Sequence, residues 1–218
     1  MKLRAYLAVS LALLMAGMLC LLPARSQVML MTGAGKGSPG SSFSLCSGTT
    51  LHLTSPNDPT TGPPWRAPVN ETLATGILDP TGGSGAWKGT ASPTNYAFVD
   101  QDLSISASTT YAIEGWVKTL ANSATAYFWV MGDNAAASYM GVYVDLNAGT
   151  ISASAAGTGS TSCQQIESAG NGYWHISFAG VATTAAPSGP RMRFWLADTG
   201  GALPSTVADQ VAYYNVGL

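Results

Sequence analysis

Apolar and polar side chains alternate in short bursts along most of this chain. Such runs occur at Tyr96 to Val99, Leu103 to Ala107, Tyr111 to Lys118, Ala124 to Met131, Tyr139 to Asp145, Thr150 to Ala155, Cys163 to Glu167, Tyr173 to Ala179, Arg191 to Ala197 and Val211 to Val216. β-Branched and aromatic residues fill the runs, Gly, Asn and Asp stand at the joints, and no long stretch carries the 3.6-residue period of a helix. Roughly ten short strands predict an all-β, antiparallel β-sandwich of jelly-roll type. Ser44 to Thr54 offers a first strand ahead of them. Pro56 to Pro68 contains Pro56, Pro59, Pro63, Pro64 and Pro68, too many missing backbone donors for a regular element, so it reads as a semi-rigid loop.

Successive strand residues point to opposite sides of a sheet, so the alternation also assigns faces. Met140, Val142 and Val144 read as inward, with Tyr139, Tyr143 and Asp145 outward. Trp174, Ile176 and Phe178 oppose Tyr173, His175 and Ser177. Met192, Phe194 and Leu196 oppose Arg193 and Trp195, and Tyr111, Ile113 and Val117 oppose Glu114, Trp116 and Lys118. The outward sides therefore mix large aromatics with charges. Sugars have apolar C–H faces ringed by hydroxyls, which suit a flat aromatic platform with flanking carboxylate or guanidinium groups. On that reasoning Trp116, Trp195 and Tyr143 would stack on a polysaccharide, and Glu114, Asp145 and Arg193 would make polar contacts. The competing reading covers Trp116 and Trp195 with the Pro-rich loop, the N-terminal segment or a second copy of the chain in a homo-oligomer.

The N-terminus reads as an address. Lys2 and Arg4 precede an apolar stretch from Leu7 to Leu22, and Ala24 and Ser26 are small residues at the positions a signal peptidase reads. Residues 1–26 are thus expected to be a signal peptide, or a retained membrane anchor, since about 20 apolar residues span a bilayer. Residues 27–42 form a Gly/Ser-rich linker and residues 43–218 one sandwich domain. After Ser26, 218 − 26 = 192 residues remain, with six Lys and Arg against eleven Asp and Glu, a formal charge of 6 − 11 = −5. An acidic surface argues against nucleic acid and anionic membrane as partners. Cys46 and Cys163 are the cysteines left in this exported portion; they either form a disulfide or stand as two small buried hydrophobes. Without a CxxC or Cys/His cluster, structural zinc is not expected.

Four segments carry a resemblance. They are Asp79-Pro80-Thr81-Gly82-Gly83-Ser84-Gly85-Ala86-Trp87-Lys88, the run Tyr111 to Lys118, the run Val144 to Thr150, and the run Gly170 to Phe178. Their order and spacing resemble a β-sandwich module of the virion and tail-fibre proteins of tailed phages and prophages, often described as carbohydrate-binding-like, over about Trp65 to Gly200. Where that family has Trp-Tyr-Arg, this chain has Tyr173-Trp174-His175, and its N-terminal signal is a further departure from a virion part. The resemblance implies a jelly-roll, galactose-binding-like or concanavalin-like fold. It also implies a non-catalytic virion surface protein, of tail-fibre or capsid-decoration type, with virion proteins and cell-surface polysaccharide as partners. A secreted bacterial glycan-binding protein and a purely structural multimerising sandwich are the alternatives.

Enzymatic machinery is not expected. His52 and His175 are the two histidines, and no Gly-x-Ser-x-Gly elbow is present. Glu71, Glu114 and Glu167 have no acidic residue two or four positions away, and Asp100 and Asp102, which do alternate, read as part of a turn. No cofactor is expected; Asn57-Asp58 and Asp100-Gln101-Asp102 offer oxygens to a structural calcium ion, although turn capping suits them better.

Overall fold

The computed structural model describes residues 46–92, 97–121, 125–133, 137–197 and 209–217. The expected signal or anchor (1–26) and linker (27–42) lie outside the described residues. The strands are β1 (Thr49–Thr50), β2 (Glu71–Ile77), β3 (Ala86–Ala91), β4 (Ala97–Asp102), β5 (Thr110–Ala121), β6 (Thr125–Asp133), β7 (Ser138–Asp145), β8 (Thr150–Ala156), β9 (Ser160–Ser168), β10 (Trp174–Val181), β11 (Arg191–Ala197) and β12 (Gln210–Tyr214). One 3-10 turn, Gly170–Gly172, is the helical element among the described residues.

Two sheets result. The first runs β2-β3-β12-β5-β10-β9, with β1 added in parallel against the start of β5; the second runs β4-β11-β6-β7-β8. All other named pairings are antiparallel. The chain is thus an all-β antiparallel two-sheet sandwich with almost no helix, as the period-two pattern demands. Met140, Val142 and Val144 of β7 face Ile113, Val117, Ile176 and Phe178 of the first sheet in one continuous core. Aromatic rings dominate its middle: Trp87 stacks on Tyr213 at 4.4 Å, and Phe194 meets Trp87 edge-on at 5.6 Å.

The edge strand β4 is covered by an extended segment, which blunts an edge that could template aggregation. Within that segment, Trp65 and Val69 pair with Gln101 and Phe98 of β4. At the far end, the β8–β9 connection carries the chain from the second sheet to the first, and the Thr161 hydroxyl accepts the Gly141 N–H at 3.1 Å and lies 2.9 Å from the Ser154 carbonyl. The Pro-rich loop is pinned by two indoles: Trp65 donates to the Thr54 carbonyl at 2.9 Å and Trp87 to the Pro56 carbonyl at 3.0 Å. Cys46 and Cys163 are joined in a disulfide, Cα atoms 5.8 Å apart, closing a separation of 117 residues beside the β1–β5 pairing.

Several local expectations need correcting. Leu103 to Ala107 is a connection, not a strand, with Tyr111 accepting the Ser106 N–H at 2.8 Å. Asp100 and Asp102 lie within β4 rather than in a turn, because Gln101 between them points inward and its amide makes two hydrogen bonds to the backbone of Thr54 (2.7 and 2.6 Å). β2 and β3 were not expected at all: they flank the Gly-rich Asp79 segment, where the Asp79 carboxylate collects the N–H groups of Thr81, Gly83 and Gly85 at 2.8 to 3.0 Å and turns one strand into the other. Those hydrogen bonds hold Asp79 below the usual carboxylate range against the opposing effect of desolvation, the largest single influence on it.

Candidate functional site

The outer face of the second sheet is a lattice of aromatic side chains. Register places Phe98, Trp195, Tyr127, Tyr143 and Ser152 in one row across β4, β11, β6, β7 and β8. The next row is Asp100, Arg193, Trp129, Gly141 and Ser154, and the row after it pairs Met131 with Tyr139. With strands about 4.8 Å apart, adjacent members of a row touch. Phe98 lies 4.6 Å from Trp195, Trp195 meets Trp129 edge-on at 5.2 Å, and Tyr127 bonds the Tyr143 hydroxyl through its own. Burial, and then Tyr143, push the Tyr127 phenol up, so it stays neutral.

Gly141 decides how Trp129 lies. A Cβ there would sit 2.3 Å from the Phe128 carbonyl oxygen and 2.5 Å from Cδ1 of the indole. With hydrogen in its place, the ring lies across β7 and stacks on Tyr139 at 4.3 Å with 13° between planes. Trp129, Tyr139, Tyr143 and Phe98 keep part of their surface open, while Trp195 is 6% and Tyr127 4% exposed. Trp129 and Tyr139, each covering one face of the other, thus present the half-open aromatic surface of this side, with Trp195 and Tyr127 buried next to them.

The charges on this face are engaged within the protein. Arg193 grips Asp100 through Nε at 2.6 Å and Nη2 at 2.8 Å, while its guanidinium lies 4.0 Å over Phe98 and 5.0 Å from Trp195. Arg191 reaches Asp100 at 3.5 Å, and Arg66 pairs with Asp102 at 2.9 Å. Asp145 accepts the N–H groups of Asn147 and Ala148, at 3.0 and 2.8 Å, capping its own turn. Arg193 and Asp145 therefore hold the face in shape.

Glu114 and Trp116 are elsewhere. They project from β5 on the outer face of the first sheet, so the six residues expected to share one surface are divided between opposite sides of the sandwich. Alternation tells which residues of a strand share a side; it carries no information on which sheet the strand joins. On that first face Trp116 stacks on His175 at 4.4 Å with 5° between planes, and Tyr214 meets it at 5.8 Å. His175 lies 3.3 Å from Glu167 and 3.9 Å from Glu114. Burial lowers its affinity for a proton, with Glu167 opposing that shift.

Sequence reasoning missed Phe98, Tyr127 and Trp129 as members of the platform. Tyr127 and Trp129 are two residues apart in the run Ala124 to Met131, so the same alternation would have found them; no local signal marks Gly141. Asn57 and Asp58, weighed for calcium, have their oxygens in use: Asn57 accepts the Asn215 N–H at 2.7 Å and Asp58 the Thr60 N–H at 3.1 Å. His52 is exposed.

The fold and this face together define an antiparallel two-sheet sandwich with an aromatic outer surface. No protein-family pattern matches the chain, and no curated protein matches it. Among solved structures the chain is similar to a mutant of a family 29 carbohydrate-binding module studied for its ligand recognition, at 11% identity and a TM-score of 0.41, covering 78% of this chain and 90% of that one. It is also similar to the enzymatically active domain of tailspike protein 4 of bacteriophage CBA120, at 12% identity and a TM-score of 0.42 over 77% of this chain. The chain spans 21% of that tailspike chain.

Proposed function

We propose that this protein is a non-catalytic glycan-binding surface protein whose ligand lies on the outer face of the second sheet. The observation that carries the reading is the half-open Trp129–Tyr139 stack beside Gly141, an aromatic cluster bordered by Tyr143, Ser152 and Ser154. Pyranose rings present apolar C–H faces to such a surface and hydroxyls to its border. Asp100 and Asp102 point to this same side, yet both are committed to arginines, which supports binding without hydrolysis. The test is a glycan array followed by calorimetry of the parent, Trp129→Ala and Trp116→Ala proteins at matched folding. Loss of binding in Trp129→Ala alone supports the platform; equal losses in both variants, or none, refute it.

The finer reading is a phage or prophage virion component, of tail-fibre or capsid-decoration type, that acts with virion proteins and further copies of itself. Its support is the order of the four motif segments. Tail or capsid genes flanking the coding sequence, and the protein in purified particles by mass spectrometry, would bear it out. The Cys46–Cys163 disulfide favours a second reading, a secreted bacterial glycan-binding protein, because such bonds persist in oxidising compartments. Its mark would be neighbouring polysaccharide-utilisation genes and recovery from culture medium.

A further inference from the structure

We infer that the ligand class of the platform is an uncharged polysaccharide, and that anionic glycans are rejected. This rests on the platform reading above and adds the chemistry of what it takes.

Recognition of a uronate or sulfate needs a cation free to meet it, since an anion stripped of water without a partner is strongly disfavoured. The described residues include Arg66, Lys88, Lys118, Arg191 and Arg193. Lys88 and Lys118 belong to strands of the first sheet, where Lys118 lies 3.2 Å from the Asn171 carbonyl and 4.5 Å over the Tyr173 ring. The three arginines stand along the β4–β11 margin of the platform, and each is already paired: Arg193 and Arg191 with Asp100, and Arg66 with Asp102. Asp100 is 3% exposed, so the Arg193 pair cannot be redirected to a ligand without leaving a buried carboxylate alone. The three arginines share two carboxylates, Arg191 reaching Asp102 as well at 3.7 Å, and Asp145 adds a third carboxylate at the end of β7. Beyond these paired groups, the face offers a ligand π surface and neutral hydroxyls, which suit an uncharged sugar chain.

The full chain would be tested by affinity electrophoresis and calorimetry against neutral polymers (dextran, laminarin, xylan, mannan) and anionic ones (polygalacturonate, alginate, heparan sulfate). Runs at about 50 and about 500 mM NaCl bracket the range over which exposed charges are screened. The expected result is retention on at least one neutral polymer, with affinity changing less than about twofold between the two salts, and none on the anionic set. Binding to an anionic polymer that weakens steeply with salt overturns the inference while leaving the glycan reading standing. Binding to no polymer overturns both. Asp102→Asn supplies a second arm. It leaves Arg66, whose side chain is 47% exposed, without its carboxylate, and should create salt-sensitive binding to polygalacturonate that the parent lacks. An Asp102→Asn protein with an unchanged circular dichroism spectrum and no such gain counts against ion pairing as the reason for rejection.

Discussion

The two outer faces are built from similar residue types, and they use them differently. On the first sheet, Trp116 lies flat against a buried histidine that sits between two glutamates, and the Cys46–Cys163 bond crosses the same side. On the second, ion pairs gather at one margin, and the half-buried Trp129 stacks on Tyr139 instead of on a histidine. An indole beside a carboxylate is therefore no guide to a binding surface by itself. What separates the faces is the ring stacked on the indole: an imidazole held between two carboxylates on the first, a phenol on the second.

The comparison can be broken most forcefully through the disulfide. Replacing both Cys46 and Cys163 by Ser should lower stability by about 4 to 5 kcal/mol in the chain-entropy account of so long a loop. Denaturant unfolding measures it, and a loss below about 1 kcal/mol would mean that the first face is held by packing alone. Next in size is Trp129→Ala, expected to cost a bound glycan about 1 to 3 kcal/mol, roughly tenfold to a hundredfold in affinity, while Trp116→Ala leaves binding unchanged. Calorimetry of the two variants on one ligand decides between the faces.

Between the faces lies a titrating group common to neither. Glu71 points into the core at 7% exposure, with both carboxyl oxygens and the nearby Tyr213 hydroxyl lacking hydrogen-bond partners, and burial pushes its pKa well above the usual carboxylate range. A carboxyl whose folded pKa is raised binds its proton more tightly in the folded chain. Stability is therefore full below the unfolded value, about 4.3, and falls as pH rises through the folded one. Glu71→Gln should flatten that decline in a series of melts.

The smallest effect belongs to His175. Its folded pKa is depressed, chiefly by burial, so the unfolded chain takes up the proton first. Stability should fall as pH drops below the unfolded value of about 6.5. Glu114 and Glu167 face the ring and moderate the loss. His175→Gln should remove this acid-side slope, and the same slope in the variant would assign it to another group.

Much of this fold is legible one strand at a time. The alternation in Tyr139 to Asp145 and Arg191 to Ala197 marks the buried and open sides of β7 and β11, and the structure buries Met140, Val142, Val144, Met192, Phe194 and Leu196 as that pattern requires. Elsewhere local pattern misleads. Leu103 to Ala107 alternates yet forms no strand, whereas β2, with a glycine at φ +78° and an inward carboxylate, pairs with β3 across a register shift between Ala74 and Ile77 despite a poor strand signature.

Side-chain alternation and turn chemistry are properties of neighbouring residues, and they suffice to specify an all-β chain and the inward and outward side of most of its strands. The tertiary structure decided that β5 lies between β10 and β12 while β11 lies between β4 and β6. That choice placed Glu114 and Trp116 on the side opposite Tyr143, Asp145, Arg193 and Trp195, and laid Trp129 over a glycine from another strand. Strand partners are selected by hydrogen bonds and packing between segments far apart in the chain, and a period of two records which side a residue faces without recording which sheet it faces from.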